Sequence, residues 1–550
     1  MHDVWEPAVE LTEEEENLLK LCKKQKLWEF LREYRGQLLD EEMRKELAAV
    51  YRPSGRGPAP VAPEQLALAM LLQVAFGVAD HEVPTLTVAD RRWQMILDCA
   101  GATEPAFSQG TVFNFRERMR KNGLMPRLLE KTVELARETK GFSHKRLRAL
   151  IDSSPIVGAG RVEDTINLLG RAIHQLVEVA AHEAEEDLET LTSELSLSIF
   201  GSPSVKAALD VDWRLPTAKS SALNELLGQF HRVQEWLRTH FDAAALAAPP
   251  LAEYIRTVER VIEQDTEPEP TSPPEGEEGM SERGAQAGPA DGPTMPVRRQ
   301  ITKGTSPDRL ISISDQDMRF GRKTTTKVFA GYKRHVLVDA DVPGLICDVE
   351  IVPGNKREYE AAKPLLDRAR ERDYQIQELQ ADRGYLPSEE VNKLHEQGVS
   401  VVSKPPTPRR TGRYTKYDFD VDFEAKTAVC PEGVTIPLKL ESVMAVPIHH
   451  CRACPSQAAC LSPKATQKKL RLHPKEQWFR QMGQDMSTST GRAKRRQRIP
   501  VEHALGRVSS IQGNKARFRG LEKNQFDLER TAIINNCFIL SGAFKDAAAA

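Results

Sequence analysis

Apolar residues recur at helical spacing over most of the first 140 positions. Residues 1–50 read as charged helices and are followed by a Pro/Gly-rich break, YRPSGRGPAPVAPEQ. The runs EQLALAMLLQVAFGV and DRRWQMILDCAGA then have the periodicity of buried helices. SQGTVFNFRERMRKNG resembles the second helix of a helix-turn-helix. Ser108 or Thr111 would cap it, Val112, Phe115 and Met119 would face inward, and Arg116, Arg118, Arg120 and Lys121 make it basic. Two readings stay open there: a DNA-contacting helix, or a solvated helix packed in a bundle.

The pattern changes at KRLRALID, where alternation gives way to three apolar residues and Asp152, as in a strand with a carboxylate at its C-terminal end. Residues 161–263 return to helical spacing. Residues 264–309, rich in Pro, Glu, Gly and Ser at their start, read as a flexible linker. KVFAGYKRHVLVDADVPGLICDVEIV then predicts a hairpin turned at Pro343-Gly344. REYEAAKPLLDRARER reads as a helix despite Pro364, and YQIQELQAD as a short strand ending in Asp382. LPSEEVNKLHEQG is a helix and VSVVSKP a further strand. Regularity is lost over 404–480 and returns as a helix over 493–511, AKRRQRIPVEHALGRVSSI.

This order is that of an RNase H-like fold: strand with Asp152, hairpin, helix, strand with Asp382, helix, strand, insertion, helix with Glu502. In such a fold the first and fourth strands lie side by side and parallel, so aspartates at their C-terminal ends would meet. A carboxylate on the last helix could close the site. The predicted architecture is therefore α/β, a mixed sheet flanked by helices. Residues 141–160 and 310–403 would form the first part of the catalytic core and 491–545 would complete it. Added to it are an N-terminal all-α, DNA-binding domain (1–140), a helical insertion (161–263) and a cysteine-rich insertion (404–490).

Charge sharpens this picture. The chain has 79 Asp and Glu against 77 Lys and Arg, a formal net charge of −2, which points to no partner. Its distribution does: residues 491–530 carry eleven Lys and Arg against four acids, whereas 264–291 carry eight acids against one base. No basic stretch followed by an apolar run opens the chain, and no window reaches the apolar length of a membrane span, so a cytoplasmic protein is expected.

Three acids suit phosphodiester chemistry. In-line attack on phosphorus, by water or by a DNA 3′-OH, is served by two hard cations about 4 Å apart. Mg²⁺ takes oxygen ligands and keeps several waters, leaving positions for phosphate oxygens. Asp152 follows an apolar strand, where an unpaired charge is costly, and Asp382 likewise ends a predicted strand. Glu502 lies among Arg495, Arg496, Arg498 and Arg507.

The segments IDSSPIVGAGRVEDT, GYKRHVLVDADVPGLICDVEIVPGN, ADRGY and IPVEHALGRVSSIQGNKARFRG resemble the catalytic segments of DDE-type transposases of bacterial insertion sequences. The likeness is to the branch with a cysteine-rich insert before the catalytic glutamate. It covers roughly residues 60–160 and 310–540. It implies that Asp152, Asp382 and Glu502 are the catalytic acids and bind Mg²⁺ or Mn²⁺. It implies that Arg498 contacts DNA near the cut, matching the arginine of a Tyr-Arg-Glu-Lys signature. The tyrosine position of that signature is Arg495 here and its lysine position is Ser509, so contacts made by those two residues do not carry over. The implied activity is metal-dependent cleavage and strand transfer of double-stranded DNA at terminal inverted repeats, by a homodimer that is nucleoid-associated when bound. Arg116, Arg118, Arg495, Arg496, Arg498, Arg507 and Lys515 are the expected DNA-binding residues. The alternatives are an RNase H-like nuclease and a catalytically decayed, domesticated DNA-binding protein. Glu163 and Asp164 are expected as outer carboxylates of the site, and Asp315 and Asp317 as loop residues.

Cys430, Cys451, Cys454 and Cys460 form C-x20-C-x2-C-x5-C beside His449 and His450. Disulfides are not expected inside a cell. Four thiolates suit a tetrahedral structural Zn²⁺; the alternative is four reduced thiols in an irregular insert.

Overall fold

The computed structural model describes residues 5–51, 61–139, 146–209, 211–215, 217–269, 298–406 and 412–548. At its centre is a six-stranded mixed sheet. Its main strands are β1 (Arg146–Val157), β2 (Val328–Asp339), β3 (Ile346–Pro353), β4 (Gln375–Ala381) and β5 (Ser400–Val402). Their order is β3-β2-β1-β4-β5, with the short strand Arg319–Arg322 paired to the start of β2. β1 runs antiparallel to β2 and parallel to β4, and β4 is parallel to β5. Leu147, Ala149, Leu150 and Ile151 of β1 are all buried. A central strand covered on both faces needs apolar residues at successive positions, as at Ala149–Ile151.

β1 is longer than the sequence suggested. It continues through Asp152 to Val157 because β2 pairs with it that far. The pairing with β4 stops at Ile151. The hairpin between β2 and β3 turns at Gly344, whose φ of +88° favours glycine. A helix over Glu358–Glu371, here α1, forms despite Pro364.

The sheet shares one continuous core with the N-terminal helices. A long helix, α2 (Leu521–Ala548), joins them. α2 also covers the free edge of β3. Gln525 donates to the Val349 carbonyl and accepts from the Ile351 amide, and Asn536 does the same for the carbonyl and amide of Ile346. Unpaired edge groups are thereby satisfied by side-chain amides.

The helical insertion has its own core, including Leu169, Ile173, Leu226 and Val258. Most of the expected linker, 270–297, lies outside the described residues. Its flanks are ordered, contrary to expectation: Thr266–Pro268 pairs with Arg299–Ile301, and Arg309 is 2.6 Å from Asp265 in a covered ion pair. The break after Tyr51 also falls largely outside the described residues, at 52–60.

The segment Gln109–Lys121 is helical, Ser108 accepts from the Thr111 amide, and Val112, Phe115 and Met119 are buried. The preceding helix ends at Leu97, with 98–108 between them. A helix-turn-helix needs a far tighter turn, so that expectation is not met.

Candidate active site

Ile151 of β1 pairs with Ala381 of β4 in parallel register. Asp152, still on β1, and Asp382, just past the end of β4, are the next residues along the chain. The helix expected over 493–511 is broken in two, α3 (Ser489–Arg496) and α4 (Ile499–Gln512). Pro500 lies in the first turn of α4, where its missing N–H costs nothing but where a helix arriving from α3 could not continue. The break makes Arg498 the N-cap residue of α4 and puts Glu502 in its first turn. α4 is anchored across β1 and β2 by Arg334. Its guanidinium, buried on β2, donates to Ser154 Oγ, Gln512 Oε1, the Gly513 carbonyl, the Pro155 carbonyl and Ser509 Oγ.

Asp152, Asp382 and Glu502 line one cavity of about 510 Å³ with Lys404, Arg492, Arg495, Arg496, Arg498 and Ile499. Arg498 bridges the aspartates: its Nη2 is 3.1 Å from Asp152 Oδ2 and its Nη1 contacts Asp382 Oδ1. Burial pushes the Asp152 carboxyl up to about 6, against the pull of Arg498 and of the Ser153 amide, while Asp382 and Glu358 add repulsion. Glu502 is exposed.

Among the described residues, no group of three or more His, Cys, Asp or Glu side chains is drawn together closely enough to hold a metal ion. The guanidinium of Arg498 stands between the two aspartates instead. In donor chemistry the site nonetheless fits a hard divalent cation: three carboxylates share one cavity, and a half-covered acid such as Asp152 gains from a neighbouring positive charge.

The basic residues singled out in the sequence separate into groups. Arg495 and Arg496 are exposed on the rim of the acidic cavity. Lys515 is exposed where it bridges to Val157 at the end of β1. Arg507 is half-buried against the hairpin turn, where a Cβ on Gly344 would lie 2.9 Å from its Nη2. Arg118 stacks on Tyr51, 4.5 Å from the ring centroid, and is exposed. Arg116 does not face solvent. It is buried, held by both carboxylate oxygens of Asp80 at 2.9 and 2.6 Å and by Gln73, so its charge is spent inside the fold. Glu163 and Asp164 are likewise not outer carboxylates of the site. Glu163 is buried 2.6 Å from Arg171, and Asp164 caps the first helix of the insertion and pairs with Lys206. Asp315 and Asp317 are loop residues as expected, accepting from the amides of Gly520 and Leu521.

Sequence reasoning missed Arg334, Lys404, Arg492 and Glu358. Arg492 lies in the same basic run as Arg495 and could have been included on that ground. Nothing in the local pattern marks the others, which reach the site through tertiary packing.

Cys430, Cys451, Cys454 and Cys460 are free thiols lining one cavity of about 350 Å³ together with His449 and His450. The amide of Val434 donates to Cys430 Sγ at 3.4 Å and that of Lys468 to Cys451 Sγ at 3.5 Å. The module has its own small core around Phe419, Met444 and Leu470, with two short antiparallel sheets, so it is less irregular than its sequence.

A β3-β2-β1-β4-β5 sheet with acids one residue past the paired ends of its central parallel strands is compatible with the RNase H-like core of nucleic-acid strand-processing enzymes. Residues 283–537, a little under half of the chain, match the family described as the transposase DDE domain, and this match supports a DDE transposase of an insertion sequence. The match takes in Asp382 and Glu502. Asp152 lies ahead of it, on the far side of the helical insertion, and joins them through the β1–β4 register. No curated protein and no solved structure matches the chain significantly. Among the described residues, no helix is long and apolar enough to cross a membrane.

Proposed function

We propose that this chain binds the terminal inverted repeats of its own element as double-stranded DNA and catalyses cleavage and transfer of the strands. The observation that carries the reading is the meeting of Asp152, Asp382 and Glu502 on one cavity rimmed by Lys404, Arg492, Arg495 and Arg496. Acids and exposed cations lining one cavity suit a phosphodiester: the exposed cations would hold the flanking phosphates and the acids would offer anionic oxygen ligands. Asp152, Asp382 and Glu502 would hold Mg²⁺ or Mn²⁺, which when bound activates the attacking oxygen and steadies the leaving one. Arg498 neutralises the aspartates when no cation is there and, released from them, sits within reach of a phosphate at the cut. Arg495 and Arg496, exposed beside the acids, would track the DNA backbone. A homodimer on paired element ends and a cytoplasmic, nucleoid-associated location accompany this reading.

The four thiols on one cavity, two of them receiving backbone N–H groups, support a structural Zn²⁺ in the cysteine module.

The test is incubation of the protein with a labelled duplex carrying the element's end. Strand cuts at that end, dependent on Mg²⁺ or Mn²⁺ and abolished by EDTA, are expected. Cutting in excess EDTA contradicts the mechanism. Equal cutting of unrelated duplex makes the protein a general nuclease, and binding without cutting makes it a decayed DNA-binding protein.

A further inference from the structure

Behind the cavity lies a carboxylate that the reading above does not use. Glu358 opens α1, the helix that follows β3. Ser153, the neighbour of Asp152 on β1, donates its hydroxyl to Glu358 Oε1 at 2.9 Å. On the other strand, Gly384 lies two residues past Asp382, and a Cβ there would overlap Glu358 Oε2. One carboxylate therefore touches the segments that carry both aspartates. The absence of a side chain at Gly384 is what lets it approach.

The surroundings are ordered around it. Tyr385 is fully buried, its hydroxyl lies against Ser153, and it is 2.7 Å from His335 Nδ1. His335 is itself buried, and burial pushes its imidazole down to about 3, so it stays neutral. His335 therefore brings no positive charge to this side of the site. Among the described residues, no ion pair to Glu358 is formed. Lys333, the cation whose charge it feels, is directed to the Lys356 carbonyl at 2.6 Å. Ser153 holds the carboxylate directly, and the buried Tyr385 and His335 back Ser153, without adding a charge that would neutralise it.

We propose that Glu358 is a positioning residue of the acidic site: it fixes the strand ends bearing Asp152 and Asp382 against each other, and its unneutralised charge tightens divalent-cation binding between them. The inference rests on the metal reading of Asp152, Asp382 and Glu502. A purely structural role would need only the hydrogen bond from Ser153, which a glutamine oxygen also accepts. A charge role would not survive that change.

The deciding experiment is titration of the full-length protein with Mn²⁺, following the free ion by electron paramagnetic resonance, for wild type and Glu358→Gln. The substitution keeps size and acceptor, so thermal unfolding should be unchanged. Mn²⁺ affinity should fall about tenfold, the scale of one neighbouring charge acting on a divalent ion in a partly solvated site. The Mn²⁺ concentration needed for half-maximal DNA cutting should rise by the same factor, with the rate at saturating metal kept within about threefold. Gly384→Ala, which displaces the same carboxylate without removing it, should weaken Mn²⁺ binding as well, and it stands in for Glu358→Gln if that variant fails to fold. Equal Mn²⁺ binding by wild type and the folded variant overturns this inference alone. A wild type that binds no Mn²⁺ overturns the metal reading, and this inference with it.

Discussion

Arg498 lies 3.1 Å from Asp152 and, through its other terminal nitrogen, contacts Asp382. A guanidinium placed there competes with any cation for the same two carboxylates. Arg498→Ala should therefore bind Mn²⁺ more tightly than wild type in the absence of DNA. Without metal, Asp152 would lose its charge partner, at a cost of about 1–3 kcal/mol. Thermal unfolding in EDTA should fall accordingly and recover when Mn²⁺ is added. A variant equally stable in EDTA and in Mn²⁺ would mean that Arg498 is not what neutralises the acids.

The rim and the interior arginines should behave differently towards DNA. Replacing Arg492, Arg495 and Arg496 together should weaken duplex binding and flatten its salt dependence, by about 0.9 in the log–log slope for each phosphate that is no longer neutralised. Arg116→Ala should leave the slope alone and lower stability, because it strands the Asp80 carboxylate that the guanidinium now holds at two oxygens. Binding isotherms at several salt concentrations separate the two. A slope that changes with Arg116 and not with the rim would reverse the assignment.

Glu529 on α2 makes stability pH-dependent. Burial pushes its carboxyl up to about 7, relieved by Gln525 and Arg368 but worsened by Asp348 and Glu350. An acid whose folded-state value is raised keeps its proton in the folded protein after the unfolded chain has lost it. Its favourable contribution is present below the ordinary value of 4.5 and is lost as pH rises through about 7. Glu529→Gln should raise the melting temperature at pH 8.5 and have much less effect at pH 5. A gain of equal size at both would rule out the titration.

Much of the core was legible because each strand carries its own signal. The apolar run before Asp152 and the alternating segment before Asp382 mark strands whose ends must lie together once they are parallel. What was not legible depends on partners far away in sequence. Arg334 looks like any basic residue of a strand, yet it is buried because Ser154, Ser509, Gln512 and two carbonyls converge on it. Ser509 departs from the lysine of the family signature, and the structure gives it a different task as one of those acceptors. Arg116 has the helical spacing of a surface residue, and only the position of Asp80 turns it inward. The split between α3 and α4 was written in Pro500, but the basic run on either side of it reads as one helix.

The central claim is that Glu502 acts in the chemistry with Asp152 and Asp382. Its direct test is the cutting rate and the binding affinity of Glu502→Gln on duplex carrying the element's end. Glu522→Gln serves as control, an exposed acid of α2 that among the described residues pairs only with Arg120. A surface ion pair contributes about 0–1 kcal/mol, so the control should cut normally. Glu502→Gln should bind at least as tightly as wild type, having one negative charge fewer near phosphate, and cut at least ~100-fold more slowly. Normal cutting by folded, DNA-binding Glu502→Gln would contradict the account.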